Sequence, residues 1–559
     1  MERTCWKACA ISVICATAIV SHTQVFTTLA NFDGTDGAAP LYVSLVQGAD
    51  GSFYGTTFSG GSGSGTVFKV TPAGTLTTLY NFCDEINCDD GGLPIPGLLL
   101  AIDGNFYGTT DGFGGPGVQG TVFKITPGGL LTTLDSFDTT GGYDPVGALV
   151  QGTDGNFYGT AQVGGVDNNG TVFKVTPGGT LTTLHSFDST DGASPQAGLV
   201  QTTDGTFYGT TYYGGDLTCN APVGCGTVFK MTQVGTVTTL HMFHATDGEF
   251  ASSLVQSVDG NFYGTTSAGG NLTCEAPYGC GTVFRMSAGG ALTKLHSFDG
   301  TDGLSPYGVL VQATDGNFYG TTYGGGGSPS CTDVEGCGTV FEITPTGTLT
   351  VLHSFCVQVP CTDGGNPIGG LVQGTDGILY GTASGNRANN DGTVFSLNMG
   401  FAQFVRFVRS SGYVGQTGPI LGQDFTGTSN VSLNGTSVPF TVKSDTLITA
   451  TVPVGATTGS VMVTTPSGTL SSNVPFRVLP QLLSFTPTSG PVGTQVTITG
   501  VSLTQTTGVG FGDYTPAQFT VNSDTQVTAT VPSGAKTGPV GIQTQGGIAI
   551  STQTFTMTQ

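Results

Sequence analysis

The sequence predicts an all-β chain: a seven-bladed β-propeller closed by its own N-terminal strand, followed by two small β-sandwiches. The first observation behind this is a repeat. The stretch Asp154-Gly155-Asn156-Phe157-Tyr158-Gly159-Thr160 recurs in near-copies after Asp50, Asp103, Asp204, Asp259, Asp315 and Asp376. The tyrosines of these copies, at 54, 107, 158, 208, 263, 319 and 380, set a period of 50 to 61 residues. Self-similarity at such a period fixes an architecture before local detail does. The second observation is compositional. Glycine makes up 93 of 559 residues and charged residues only 9%. Abundant Gly, Thr, Val and Phe without a long 3.6-residue apolar stripe describe short strands and many turns.

Each repeat supplies four strands. In the copy over 194–248 they are the run Gly198-Leu199-Val200-Gln201, the run Phe207–Thr211, the run Gly226–Met231 and the run Val237–Phe243. Asp204-Gly205 between the first two is a strong hairpin-turn signal. Four short strands joined by tight turns and repeated radially form a propeller blade. The third strand recurs seven times, the last at Gly392–Phe395. The fourth is missing after Phe395, and its seventh copy is Phe26-Thr27-Thr28-Leu29. The N-terminal strand is therefore expected to pair with Gly392–Leu397 and complete the last blade over a domain of 25–398. Closure removes the exposed edges of a linear array. The strand order sorts the connections onto two faces. The Asp-Gly turns and the Thr-Pro-Gly-Gly turns share one and scarcely vary. The second-to-third loops and blade-to-blade linkers share the other and carry all the length variation, which is where binding usually lives.

The N-terminus reads as a secretory signal peptide over 1–23. Two basic residues, Arg3 and Lys7, precede an apolar run from Ala8 to Val20 and a small-residue stretch around Ala16–Ala18. No second apolar run reaches spanning length, so no transmembrane span is expected after its removal. The formal net charge of −22 repels phosphate backbones and excludes nucleic acid as a partner. Beyond the signal, ten cysteines fall into five local pairs: Cys83/Cys88, Cys219/Cys225, Cys274/Cys280, Cys331/Cys337 and Cys356/Cys361. On an exported chain these read as disulfides. Zinc is the rival, but it wants tighter Cys spacing and two converging knuckles.

After Leu397 the period stops. Residues 401–478 and 480–559 form two similar units, as Ser444–Pro453 and Ser523–Pro532 show. Alternating Val, Thr and Ile with Gly and Pro turns suits a small sandwich. The order Asp-Gly-Asn-Phe-Tyr-Gly-Thr-Thr, Gly-Thr-Val-Phe-Lys, Leu-Thr-Thr-Leu-His-Ser-Phe resembles the GloVer tandem repeat of bacterial choice-of-anchor exported proteins. Ser489-Gly490-Pro491-Val492-Gly493-Thr494 looks like the opening of an IPT/TIG domain, an immunoglobulin-like fold. Ser411-Gly412-Tyr413-Val414-Gly415 is a divergent version of it. The resemblance implies a bacterial secreted or cell-surface protein and implies no activity.

Candidate chemistry is sparse. His185, His241, His296 and His353 share a repeat position that Tyr80 and Asp135 fill elsewhere, which describes a structural slot. Asp33/Asp36, Asp188/Asp191 and Asp299/Asp302 flank linker glycines and offer oxygen ligands to calcium, or cap turns. No other cofactor is implied. Tyr212, Tyr213, Tyr278 and Tyr323 in the variable loops are the candidate binding residues, since the lone tryptophan, Trp6, lies in the signal. The expectation is a non-catalytic, monomeric binding or adhesion scaffold for an extracellular glycan or protein, held off by two Ig-like modules. Its rivals are an extracellular glycan-active enzyme using acidic residues on the loop face, and a structural envelope component. A non-repeated acidic cluster on the loop face would favour the enzyme.

Overall fold

The computed structural model describes residues 24–84, 87–112, 119–138, 141–327, 331, 336–358, 360–385 and 391–559. The expected signal peptide, with Trp6, lies outside them. All regular structure among these residues is β, and no helix is long and apolar enough to cross a membrane.

Residues 25–398 form seven antiparallel four-stranded sheets. The third is typical, with strands Val150–Gln151, Phe157–Ala161, Thr171–Val175 and Leu181–Ser186 in sequence order. The turn between its first two strands follows from Asp-Gly. Gly155 has φ +86°, and the Asp154 carboxylate accepts from the amide of Asn156 at 3.1 Å, the self-bonded turn that aspartate favours. The register then places Gly159 opposite Phe173. A Cβ on this glycine would sit 2.5 Å from Cζ of Phe173, and the same clash lies at 2.5–2.7 Å in all seven sheets. Glycine is required there because the neighbouring strand's phenylalanine lies flat on the backbone.

The seventh sheet joins the two ends of the domain. Val25–Asn31 pairs antiparallel with Thr393–Asn398, from Val25 opposite Asn398 to Asn31 opposite Thr393. This is the pairing expected from the missing strand. Phe26 stacks on His353 at 3.7 Å and on Phe395 at 5.2 Å.

Two kinds of aromatic contact join neighbouring sheets. The repeat tyrosine stacks on the next sheet's phenylalanine, as in Tyr54–Phe106, Tyr107–Phe157, Tyr158–Phe207, Tyr208–Phe262 and Tyr263–Phe318, at 4.0–4.3 Å. Tyr380 of the seventh sheet makes the same contact with Phe53 of the first, at 4.0 Å. Leu379 replaces phenylalanine in the seventh sheet, and Tyr319 packs in the cluster that holds it. Further out, the phenylalanine after each fourth strand meets the next sheet's third strand edge-on. Phe82–Phe123 and Phe355–Phe395 are examples, and Phe32, just after the N-terminal strand, meets Phe68 of the first sheet. A polar staple runs alongside. Gln151, Gln201, Gln312 and Gln373 each accept from a turn amide of the preceding sheet, and Gln47 accepts from Thr375 at 3.1 Å.

Residues 406–478 and 481–557 are two sandwiches of one design. In the first, Arg406–Phe407, Thr417–Leu421, Leu447–Thr451 and Phe440–Ser444 form one sheet in that order. In the second, Gln481–Thr486, Gln495–Val501, Gln526–Thr530 and Gln518–Ser523 repeat it. Each has its own apolar core. The first sandwich touches the seven sheets directly. It sits on their tight-turn face. Thr446 Oγ1 donates to the Ala49 carbonyl at 2.7 Å, Arg409 to the Thr153 carbonyl at 2.6 Å, and Gln423 to Thr375 Oγ1 at 2.9 Å. The near-identical turns therefore serve as a seat.

Removing residues 25–31 leaves Thr393–Asn398 as an unpaired edge and uncovers Phe395. The shortened chain is expected to self-associate and to melt at lower temperature. Light scattering and a thermal melt check this, and a monomer melting like the full chain would contradict it.

Candidate functional site

The segments that lead into the first strands of all seven sheets surround one cavity of about 420 Å³. Its wall is crowded. A Cβ on Gly97 would strike the Ser44 carbonyl at 2.5 Å, and one on Gly369 the Val43 carbonyl at 2.1 Å. The turn-face end is bounded by Arg406 and Asn473 of the first sandwich. Tyr42 and Tyr307 reach the lining from the linkers on the other face.

On that face the repeat departs from itself. The residue after each Tyr-Gly-Thr-Thr or Tyr-Gly-Thr-Ala is Phe58, Asp111, Gln162, Tyr212, Ser267, Tyr323 or Ser384. The linker residue beside it is Ala39, Leu93, Asp144, Ser194, Phe250, Ser305 or Asn366, each in the left-handed region with φ between 51° and 63°. The two positions are held together by backbone. The amides of Phe58, Asp111, Gln162, Tyr212 and Tyr323 donate to the carbonyls of Ala39, Leu93, Asp144, Ser194 and Ser305 at 2.9–3.1 Å. One scaffold thus presents a different side chain from each sheet at equivalent places.

Two groups form there. The first is aromatic. Tyr212 stacks on Phe250 at 4.8 Å and meets Tyr213 edge-on at 4.9 Å. Tyr307 lies 6.0 Å from Tyr42 and 6.2 Å from Tyr323, ring to ring, and within hydrogen-bond reach of Tyr212. Burial, with Tyr307 and Tyr323 nearby, pushes the Tyr42 phenol up to about 12, so it stays a neutral donor at ordinary pH. The second group is acidic. The Asp111 carboxyl lies in hydrogen-bond contact with that of Asp144, and one Asp111 oxygen is buried with no other partner among the described residues. Burial first, and the Asp144 charge second, push Asp111 up to about 7. Like charges this close cannot both ionise cheaply, so Asp111 holds its proton well above the usual carboxylate range.

Three of the four tyrosines singled out from the sequence, Tyr212, Tyr213 and Tyr323, come together in this region. Tyr278 stands 61% exposed on its loop, with no ring contact among the described residues. Tyr42, Tyr307, Phe250, Asp111 and Asp144 were not singled out. Their signal was available: each breaks the repeat at a position beside a strand end or linker proline.

The linker aspartates are engaged by their own turns. Asp33, Asp188 and Asp299 accept from the hydroxyls of Thr35, Thr190 and Thr301 at 2.6–2.7 Å. These bonds, led by the threonine hydroxyl, hold all three below the usual carboxylate range. Asp191 and Asp302 meet His185 and His296 Nε2 at 2.7 Å, and Asp36 accepts from the Asp33 amide at 3.0 Å. The histidine slot thus clamps the linker. All five cysteine pairs form disulfides as paired from the sequence. Cys219–Cys225, Cys274–Cys280 and Cys331–Cys337 brace second-to-third loops, while Cys83–Cys88 and Cys356–Cys361 brace linkers.

The Gloeobacter/Verrucomicrobia repeat model matches residues 17–221 and 218–442. The chain belongs to this repeat family. An IPT/TIG domain model matches 480–558 of this repeat protein. No curated protein sequence matches it. Among solved structures, a fungal alcohol oxidase in complex with copper is similar at 12% identity, with 93% of this chain and 98% of that chain covered and a TM-score of 0.43. The extracellular domain of a hybrid two-component system from B. thetaiotaomicron is similar at 10% identity over 94% and 58%, with a TM-score of 0.43. A surface glycan-binding protein from Prevotella bryantii is similar at 16% identity over 27% and 41%, with a TM-score of 0.22. TM-scores this low carry no functional weight.

The acidic pair makes a pH prediction. The folded protein holds the Asp111 proton up to about pH 7, whereas an unfolded aspartate releases it near pH ~3.9. Between these values the folded state binds more protons, so stability falls as pH rises through the window. Asp111→Asn is expected to flatten that slope and raise the melting temperature at neutral pH. Thermal melts from about pH 4 to 8 check it, and an unchanged slope would contradict it.

Proposed function

We propose that the seven sheets are blades of a closed seven-bladed propeller, and that its loop-face mouth binds an extracellular glycan. The observation that carries the reading is the convergence of Tyr42, Tyr212, Phe250, Tyr307 and Tyr323 beside the central cavity, at positions where the repeat abandons its own pattern. Closure is supported by the Tyr380–Phe53 and Phe32–Phe68 contacts, which bring the seventh sheet against the first as each earlier sheet meets the next. Tyrosine offers an apolar face and a hydroxyl on the same ring, which matches the apolar faces and hydroxyls of a sugar. A concave site with a few convergent polar groups is the usual form of a small-molecule pocket. Five disulfides fit an exported chain, and the expected leader over 1–23 agrees with it.

A second reading, catalysis, is favoured by one observation, the Asp111–Asp144 pair. It is acidic, not repeated, and lies on the loop face. Its two carboxyls are in direct contact, closer than the separations of roughly 5–9.5 Å that glycosidases use. With Asp111 protonated into the neutral range, the pair suits a general-acid role better than the paired displacement of a glycosidase.

The test is a glycan array with the full chain, then a doubly substituted Tyr212→Ala/Tyr323→Ala protein and a Tyr278→Ala control. The double variant is expected to lose roughly tenfold or more in affinity, from ~0.5–1.5 kcal/mol per ring contact. The control is expected to bind like the parent. A response that depends on Tyr278 and ignores Tyr212 and Tyr323 would place the site elsewhere. Turnover of a bound glycan that stops in Asp111→Asn would favour the enzyme.

A further inference from the structure

The far end of the cavity holds a charge that the fold does not neutralise. Three arginines of the first sandwich face the seven sheets. Arg409 donates to the Thr153 carbonyl and feels the charge of Asp154. Arg477 feels Asp204. Both find acidic partners in the Asp-Gly turns that seat the sandwich. Arg406 does not. Among the described residues it has no ion pair and no side-chain hydrogen bond, and no acidic group acts on it. It is partly buried, and it is one of the residues that line the cavity. Burial lowers its guanidinium from the usual range, and an arginine side chain is charged in proteins as a rule.

A charge partly withdrawn from water without a partner is costly, because nothing replaces the hydration it gives up. In a chain of net charge −22 the local cation is the exception. The cavity before it is lined mainly by the small and aliphatic residues of the leading strands, with Ser44, Ser252, Asn473, Gln196, Gln312 and Gln373 as neutral polar groups. Nothing anionic is among its lining residues.

We propose that the cavity is a subsite for a carboxylate-bearing sugar, which enters from the loop face beside Tyr42 and Tyr307 and places its carboxylate in the fork of Arg406. This rests on the glycan reading of the mouth and names the class of glycan. Guanidinium meets carboxylate by two parallel N–H···O bonds, and the tyrosines engage the rest of the ligand. A free inorganic anion offers Arg406 the same chemistry without the sugar.

The experiment titrates the full chain with D-glucuronate, D-glucose and sodium sulfate by calorimetry, using the parent, Arg406→Gln and Arg406→Lys. Glucuronate is expected to bind at least tenfold more tightly than glucose. Arg406→Gln is expected to lose that advantage, with Arg406→Lys intermediate. Because the charge is unpaired without ligand, Arg406→Gln should melt no lower than the parent, which separates lost binding from lost folding. If unfolding of Arg406→Gln confounds the comparison, the sugar preference of the parent and of Arg406→Lys still decides it. Equal binding of the two sugars, or glucuronate binding indifferent to Arg406, overturns the proposal. So does sulfate binding through Arg406 without glucuronate binding. A glycan array positive only for neutral sugars overturns it too, while leaving the glycan reading standing.

Discussion

The contact on which the domain depends is the stacking of one tyrosine on the next sheet's phenylalanine. Its geometry is set from both ends of the Tyr side chain. The ring is buried between sheets, and the hydroxyl donates to the aspartate four residues earlier, as from Tyr158 to Asp154 at 2.8 Å. The same aspartate caps its own turn. One residue pair therefore shapes a hairpin within a sheet and fixes the angle to the next. Offset aromatic pairs contribute roughly 0.5–1.5 kcal/mol each beyond their burial. The glycine that follows is the other half of the constraint, since any side chain there would push the third-strand phenylalanine out of place. Asp, Phe, Tyr and Gly recur together because each makes the next one's position possible.

That coupling explains how much of the fold was legible. The seven four-stranded sheets, the pairing of Phe26–Asn31 with the last strand, the five cysteine pairs and the two sandwiches all follow from local order that repeats. The seating of the first sandwich did not. It depends on Thr446, Gln423 and Arg409 meeting the turns, and nothing local marks those residues. The site was legible in part. Tyr212 and Tyr213 announce themselves as a pair in a long loop. Tyr42 and Tyr307 look like ordinary linker residues until the sheets bring Tyr42, at the start of the domain, within 6.0 Å of a residue five sheets later. Asp111 and Asp144 belong to different sheets and become a pair only across a junction.

The two faces divide the work between constancy and variation. On the turn face, similar loops give the sandwich a uniform bed. On the opposite face, a left-handed linker residue and the strand end it bonds are fixed in backbone and free in side chain. A fold that separates these demands can change what it presents without disturbing what holds it. Disulfides on the second face brace the longest loops, which lowers the conformational freedom they would lose on recognition.

The seventh sheet, built from both ends of the domain, sets a schedule. Val25 finds its partner only at Asn398. At ~5–20 residues per second the ribosome takes roughly 20–75 s to deliver one after the other. Through that interval the first strand waits with Phe26 uncovered and an open edge, while six complete sheets assemble behind it. Anything that holds the nascent N-terminus extended until the last repeat emerges would protect the chain when it is most exposed to mispairing.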